Sequence, residues 1–169
     1  MSNVPWFLQG VLVSIAASVA LAHPLGRALV VGPTLAGSLV LSLGIVLSAT
    51  LTPLRGAIEA GAAGTGICDF SRLGLAPIAE STSLNDTSLN ILLFVPLGLV
   101  VGHLPRTRRM AGIVIASIAL PFLVEMVQLI ASDLARGCQS ADVIDNLTGL
   151  LIGTAVGTAS RLLLREPAD

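Results

Sequence analysis

From Ala28 to Leu51 the chain carries no charged side chain. An uncharged apolar run of that length can cross a bilayer as a helix, which takes about 20 residues. Hydrocarbon offers a backbone no hydrogen-bond partners, so the run must be helical to satisfy its own. Four further stretches follow the same pattern: Phe7–Ala22, Leu89–Leu104, Met110–Ala131 with Glu125 inside it, and Val143–Leu164 with Asp145 near its start and Arg161 near its end. The first and third are short and must borrow flanking residues, tilt or shift. Composition agrees, with 54% hydrophobic and 11% charged residues and a mean hydropathy of +0.91. A water-soluble domain carries roughly 25% charged residues. The expected fold is all-α, a polytopic membrane helical bundle of about five transmembrane helices forming a single domain over residues 1–169.

A net charge of −1 offers no basic face for nucleic acid. Ala20-Leu21-Ala22 resembles a signal-peptide cleavage site, but Met1–Gln9 has none of the positive charge such a peptide carries, so a retained helix is preferred. Arginines set the orientation. Arg106, Arg108 and Arg109 lie after the third stretch, Arg27 lies between the first two, and Arg161 and Arg165 close the chain. Placing these in the cytoplasm leaves Arg55, Arg72 and Arg136 outside, so the positive-inside rule predicts an outward N-terminus and a cytoplasmic C-terminus. Glu59, Asp69, Glu80, Asp86, Asp133 and Asp142 then fall outside too. The one long loop, about 52–88, is also extracytoplasmic, and a loop of that length is functional or disordered.

Cys68 and Cys138 both fall on that outer side. They form either a disulfide, which persists outside the cytoplasm, or two unpaired thiols. Neither has a second Cys or a His at ligand spacing, so a metal site is not expected.

Ionisable groups inside spanning segments cost about 2.5–3.5 kcal/mol on insertion scales, which singles out Glu125. It sits roughly 9 Å from the outer end of its helix, at about 1.5 Å per residue. Gln128 follows and Pro121 precedes it by about one turn on the same face. Asp142, Asn146 and Gly149 open the last helix, Asn90 opens the third, and Arg136 lies in the connection between the fourth and fifth. Topology gathers Asn90, Glu125, Gln128, Arg136, Asp142 and Asn146 at the outer end of the bundle. They make either a ligand pocket or a structural network in which Glu125 pairs with Arg136 and Asp142 caps the last helix. Gly149, Gly153 and Gly157, with Gly98 and Gly102 on the third helix, are spaced for close helix packing. Pro96 is expected to bend its helix. His23 and His103 are read as interfacial, and the sequence suggests no Ser–His or Cys–His pairing, phosphate loop or metal cluster.

The run Asn90-Ile-Leu-Leu-Phe-Val-Pro-Leu-Gly98 resembles the NxxxFxPxG signature of VanZ-like membrane proteins. Glu125-Met-Val-Gln128 is similar to their ExxQ element, and Arg136, Asp142, Asn146 and Gly149 are similar to their R-x5-D-x3-N-x2-G ending. The match covers roughly residues 85–160. It departs from the pattern at Gln139, commonly acidic in the family, and at Asp145, usually apolar there. The resemblance implies a bacterial cell-membrane location and a polar site more firmly than a reaction. The family is named for a protein linked to resistance against the glycopeptide antibiotic teicoplanin.

The leading expectation is a non-enzymatic protein that binds an amphiphile at the outer leaflet, either a lipoglycopeptide or a lipid-linked cell-wall intermediate, without a cofactor. Arg136 would meet an anionic headgroup. Asn90, Gln128 and Asn146 would bond sugar or amide groups, and Glu125 would orient Arg136 or accept a ligand hydroxyl. The alternatives are an enzyme acting on a lipid-linked substrate, with Glu125 or Asp142 as general base, and an assembly scaffold presenting the glycine stripe of the last helix. No protein partner is identified.

Overall fold

The apolar run nearest the N-terminus forms one helix, α1, over Phe7–Leu29. It continues past the expected end at Ala22, through Pro24 and Arg27. The chain turns at Val30 in a left-handed conformation, and α2 covers Pro33–Thr50. Proline at the first helical position costs nothing, because that N–H would have no partner anyway, so the second helix starts at Pro33 and not at Ala28. This computed structural model describes residues 6–53, 66–83, 85–134 and 136–164. Arg55, Glu59 and Arg165, which entered the charge balance, lie outside them.

After α2, the described part of the long loop holds a two-residue strand β1, Cys68–Asp69, and a short helix α3, Ile78–Thr82. Helix α4 spans Asp86–His103 and opens with a capping box in which Asn85 and Ser88 each accept the other's backbone N–H. The expected third span thus gains its length at its N-terminal flank. Helix α5 covers Arg108–Ile130, with Thr107 as N-cap. A 3-10 turn, Ser132–Leu134, and strand β2, Cys138–Gln139, lead into α6, Ser140–Leu163. Strands β1 and β2 pair in parallel with Cys68 opposite Cys138, and the two cysteines form a disulfide with Cα atoms 4.5 Å apart.

Helices α1, α2, α4 and α5 are each long and apolar enough to cross a membrane. Helix α6 has the length, 24 residues, but is set apart by Asp142, Asp145 and Arg161. It lies most extensively against α4, while α1 packs against α2. Glycine decides the α4–α6 spacing. A Cβ on Gly153 would collide with the Val95 carbonyl and lie 2.9 Å from Gly98 Cα, and one on Gly149 would collide with the Ile91 carbonyl. Close backbone approach replaces side-chain interlock there. On α1–α2 the same device pairs glycine with serine: Ser14 sits over Gly44 and Ser48 over Gly10. Val46, Phe94, Leu97, Val101 and Leu150 form the core where α2, α4 and α6 meet. Exposed apolar residues such as Leu12, Val19, Ile115 and Phe122 cover the flanks, as expected of a surface bathed in lipid.

This topology gives the bundle two ends. One carries the α1–α2 and α4–α5 turns. The other, the loop end, carries the 66–86 segment and the connection from α5 to α6.

Candidate functional site

Each of the six polar residues singled out from sequence lies at or near the loop end, and they divide into two groups. In the first, Glu125 is 4% exposed and accepts the Gln139 backbone N–H at 2.7 Å. Gln139 precedes α6, so the carboxylate ties α5 to the start of the next helix. One turn later, Gln128 donates from Nε2 to the Thr50 carbonyl at 3.0 Å. Arg136 donates from Nε to Thr52 O at 3.1 Å and from Nη2 to Ala49 O at 2.8 Å. The last carbonyls of a helix have no intrahelical donors and form the negative end of its dipole. Gln128 and Arg136 therefore close the C-terminus of α2. Burial pulls the Arg136 guanidinium below its ordinary value, against the pull of Asp142 and Glu125.

The expected Glu125–Arg136 ion pair is not formed, because each group already has backbone partners. Among the described residues the salt bridge is instead Arg72–Asp145, with Nη2 to Oδ2 at 2.5 Å. It anchors the second group. Arg72 also donates to Gly74 O at 3.1 Å, and its own carbonyl accepts from Ser140 Oγ at 2.7 Å, so the loop is stitched to the first turn of α6 from both directions. The bond to Asp145 holds the guanidinium above its ordinary value. Asp142 does not cap α6. It lies in the first turn of α6, where Asn90 of α4 acts on its carboxyl from across the α4–α6 interface. Asn146 is 1% exposed, and its Oδ1, like Oδ1 of Asp145, has no partner. Coulombic reach between Asp142, Glu125 and Arg136 links the two groups.

Sequence reasoning placed Asp145 near the start of the last helix and Arg72 in the loop without joining them. A carboxylate one turn from Asp142, inside an apolar helix, was the available signal that a cation had to come from elsewhere. A further pairing appears at the opposite end, where the sequence suggested none. Ser160 Oγ lies 3.1 Å from His103 Nε2, and His103 Nδ1 lies 2.8 Å from Leu99 O. Beside it, Arg161 donates to the Leu104 carbonyl. These contacts lock α4 to α6, and Ser160 also donates to Gly157 O at 3.0 Å.

Two cavities lie away from the polar residues. One of about 410 Å³ is lined by His23, Arg27 and neighbours at the α1–α2 turn. The other, about 270 Å³, runs between α2 and α4 along Ser42, Pro96 and Val100. Among the described residues no three His, Cys, Asp or Glu side chains gather as metal ligands.

Among curated proteins and among solved structures, nothing matches the chain. A family model described as VanZ/LLP1 matches residues 39–161, which takes in α4, α5, nearly all of α6 and every polar residue of both groups. With that match extending over well more than half of its length, this multi-pass helical chain belongs to the VanZ/LLP1 family.

Proposed function

We propose that this VanZ/LLP1 protein binds an amphiphile of the cell envelope at the loop end of α4, α5 and α6, on the extracytoplasmic side, without catalysing a reaction. A lipoglycopeptide or a lipid-linked cell-wall intermediate suits a polar end flanked by lipid-facing helices. Capture of such a molecule would connect the chain to glycopeptide resistance of the teicoplanin type. The observation that carries the reading is the unused hydrogen-bonding capacity buried between α4 and α6. The Asn146 side chain is almost fully enclosed, yet its oxygen has no protein partner. Buried polar atoms are almost always paired, so one left open at a helix interface favours an external donor.

A specific observation supports the purely structural alternative for half of the cluster. Gln128 and Arg136 spend their donors on α2 carbonyls, which is helix-end closure and leaves less of Arg136 for a headgroup. The discriminating residues are therefore Asn90 and Asp142. Native mass spectrometry of protein extracted gently from its own membrane, comparing wild type with Asn90→Ala and Asp142→Asn, tests the reading. A glycolipid or lipid-linked intermediate present on the wild type and lost from both variants is the expected result. The same lipids on all three proteins would sink it.

A further inference from the structure

Among the described residues, the loop end carries more acid than base. Glu80, Asp86, Glu125, Asp142 and Asp145 are within Coulombic reach of one another or of Arg72 and Arg136, so five carboxyl groups share two guanidinium groups. Arg136 is turned to the end of α2. Arg72 reaches α6 from the loop and satisfies one oxygen of Asp145. Residues three and four apart share a helix face, so Asp145 and Asn146 flank the strip one turn below Asp142. Both are 1% exposed, and both present an oxygen with no donor. The strip offers acceptor oxygens from all three side chains, with the Asn146 amide as its one donor group, and among the described residues the salt bridge that reaches it comes from Arg72.

We propose that the Asp142–Asp145–Asn146 strip of α6 is a site for the primary ammonium group of a membrane amphiphile, with Arg72 as the chain's own partial occupant. This rests on the amphiphile-binding reading above and gives that ligand a chemistry. An anionic headgroup alone does not fit, since the carboxyl groups repel it. A water molecule supplies donors but no charge. An ammonium group supplies three N–H donors and one positive charge in a compact volume, equal in number to the two open oxygens and the Asp142 carboxyl. A quaternary ammonium supplies the charge but no N–H.

Dioleoyl phosphatidylethanolamine and dioleoyl phosphatidylcholine differ in that respect while keeping chains and net charge alike. The full-length purified protein, offered both in equal amounts, is read by native mass spectrometry. The wild type should retain the ethanolamine lipid about tenfold over the choline lipid, the scale of one hydrogen bond to a charged group. Asn146→Leu removes an unpartnered buried oxygen, so it should fold at least as stably as the wild type while losing that preference. Free ethanolamine, which has the ammonium group but no tail, should leave the lipid bound; displacement would assign the site to a water-soluble amine. Equal retention of the two lipids by the wild type, with both lost in Asn90→Ala, overturns the ammonium assignment and leaves the amphiphile site standing. If Asn90→Ala loses neither lipid, both readings fall together.

Discussion

Arg72 and Asp145 show how a single side chain can be misread without its partner. Asp145 is buried in α6, and Arg72 arrives from a segment 73 residues away in the chain. Removing one member of a buried pair leaves the other's charge uncompensated, at about 3–5 kcal/mol, whereas replacing both by apolar groups is often neutral. Since the Arg72 side chain is 24% exposed, water reduces this penalty. Arg72→Met should destabilise the protein by about 2 kcal/mol, and adding Asp145→Leu should restore most of the loss. Denaturant unfolding in detergent measures both, and a double variant no better than the single would argue against the pair. Asn90, Glu125, Gln128, Asp142 and Asn146 were legible because a polar group in an apolar helix stands out. Their partners were not. Gln128 bonds a backbone carbonyl 78 residues away, and a carbonyl leaves no mark in sequence. Arg136 was found but given the wrong partner, since charge suggested Glu125 while the open end of α2 offered better-placed acceptors.

At the scale of elements, the close-packing faces of α4 and α6 were readable from spacing, because glycines repeated every four residues specify a flat face, but that the two faces meet each other was not. The Ser–Gly contacts of α1 with α2 carry no such period and went unnoticed, as did the continuation of α1 through Pro24. A proline inside a helix marks a possible break, and only packing decides whether the helix continues. The glycine reading leads to a paired test. Gly153→Val places side-chain atoms against the Val95 carbonyl and the backbone near Gly98, neither of which can move without parting the helices. Overpacking of this kind costs about 1–3 kcal/mol, occasionally more. Gly112, on α5, has open space around it, so Gly112→Val should change stability by no more than about 0.5 kcal/mol. Comparable losses for the two variants, measured by thermal unfolding in the same detergent, would show that the α4–α6 approach is not set by this face.

Across the whole molecule, the disulfide and the Arg72 ion pair fasten the loop to the start of α6 twice, and both bear on which way the chain lies in the membrane. Structural disulfides persist outside the cytoplasm. The arginines Arg106, Arg108 and Arg109 sit at the opposite end, as the positive-inside rule requires of a cytoplasmic face. Breaking the bridge by Cys68→Ser with Cys138→Ser should cost about 2–4 kcal/mol, read as a lower unfolding midpoint in detergent. The bridge also makes orientation easy to measure. The described residues include no free cysteine, so one added thiol is a clean reporter. Gly74 at the loop end and Gly32 at the turn end are both exposed, and a Cβ at either meets nothing within 4 Å. Gly74→Cys and Gly32→Cys should therefore leave the fold intact. A membrane-impermeant maleimide applied to intact cells should label Gly74→Cys at once and Gly32→Cys only after permeabilisation. The reverse pattern would put the loop, the disulfide and the acidic strip in the cytoplasm. An envelope amphiphile on the outer leaflet would then have no access to the site.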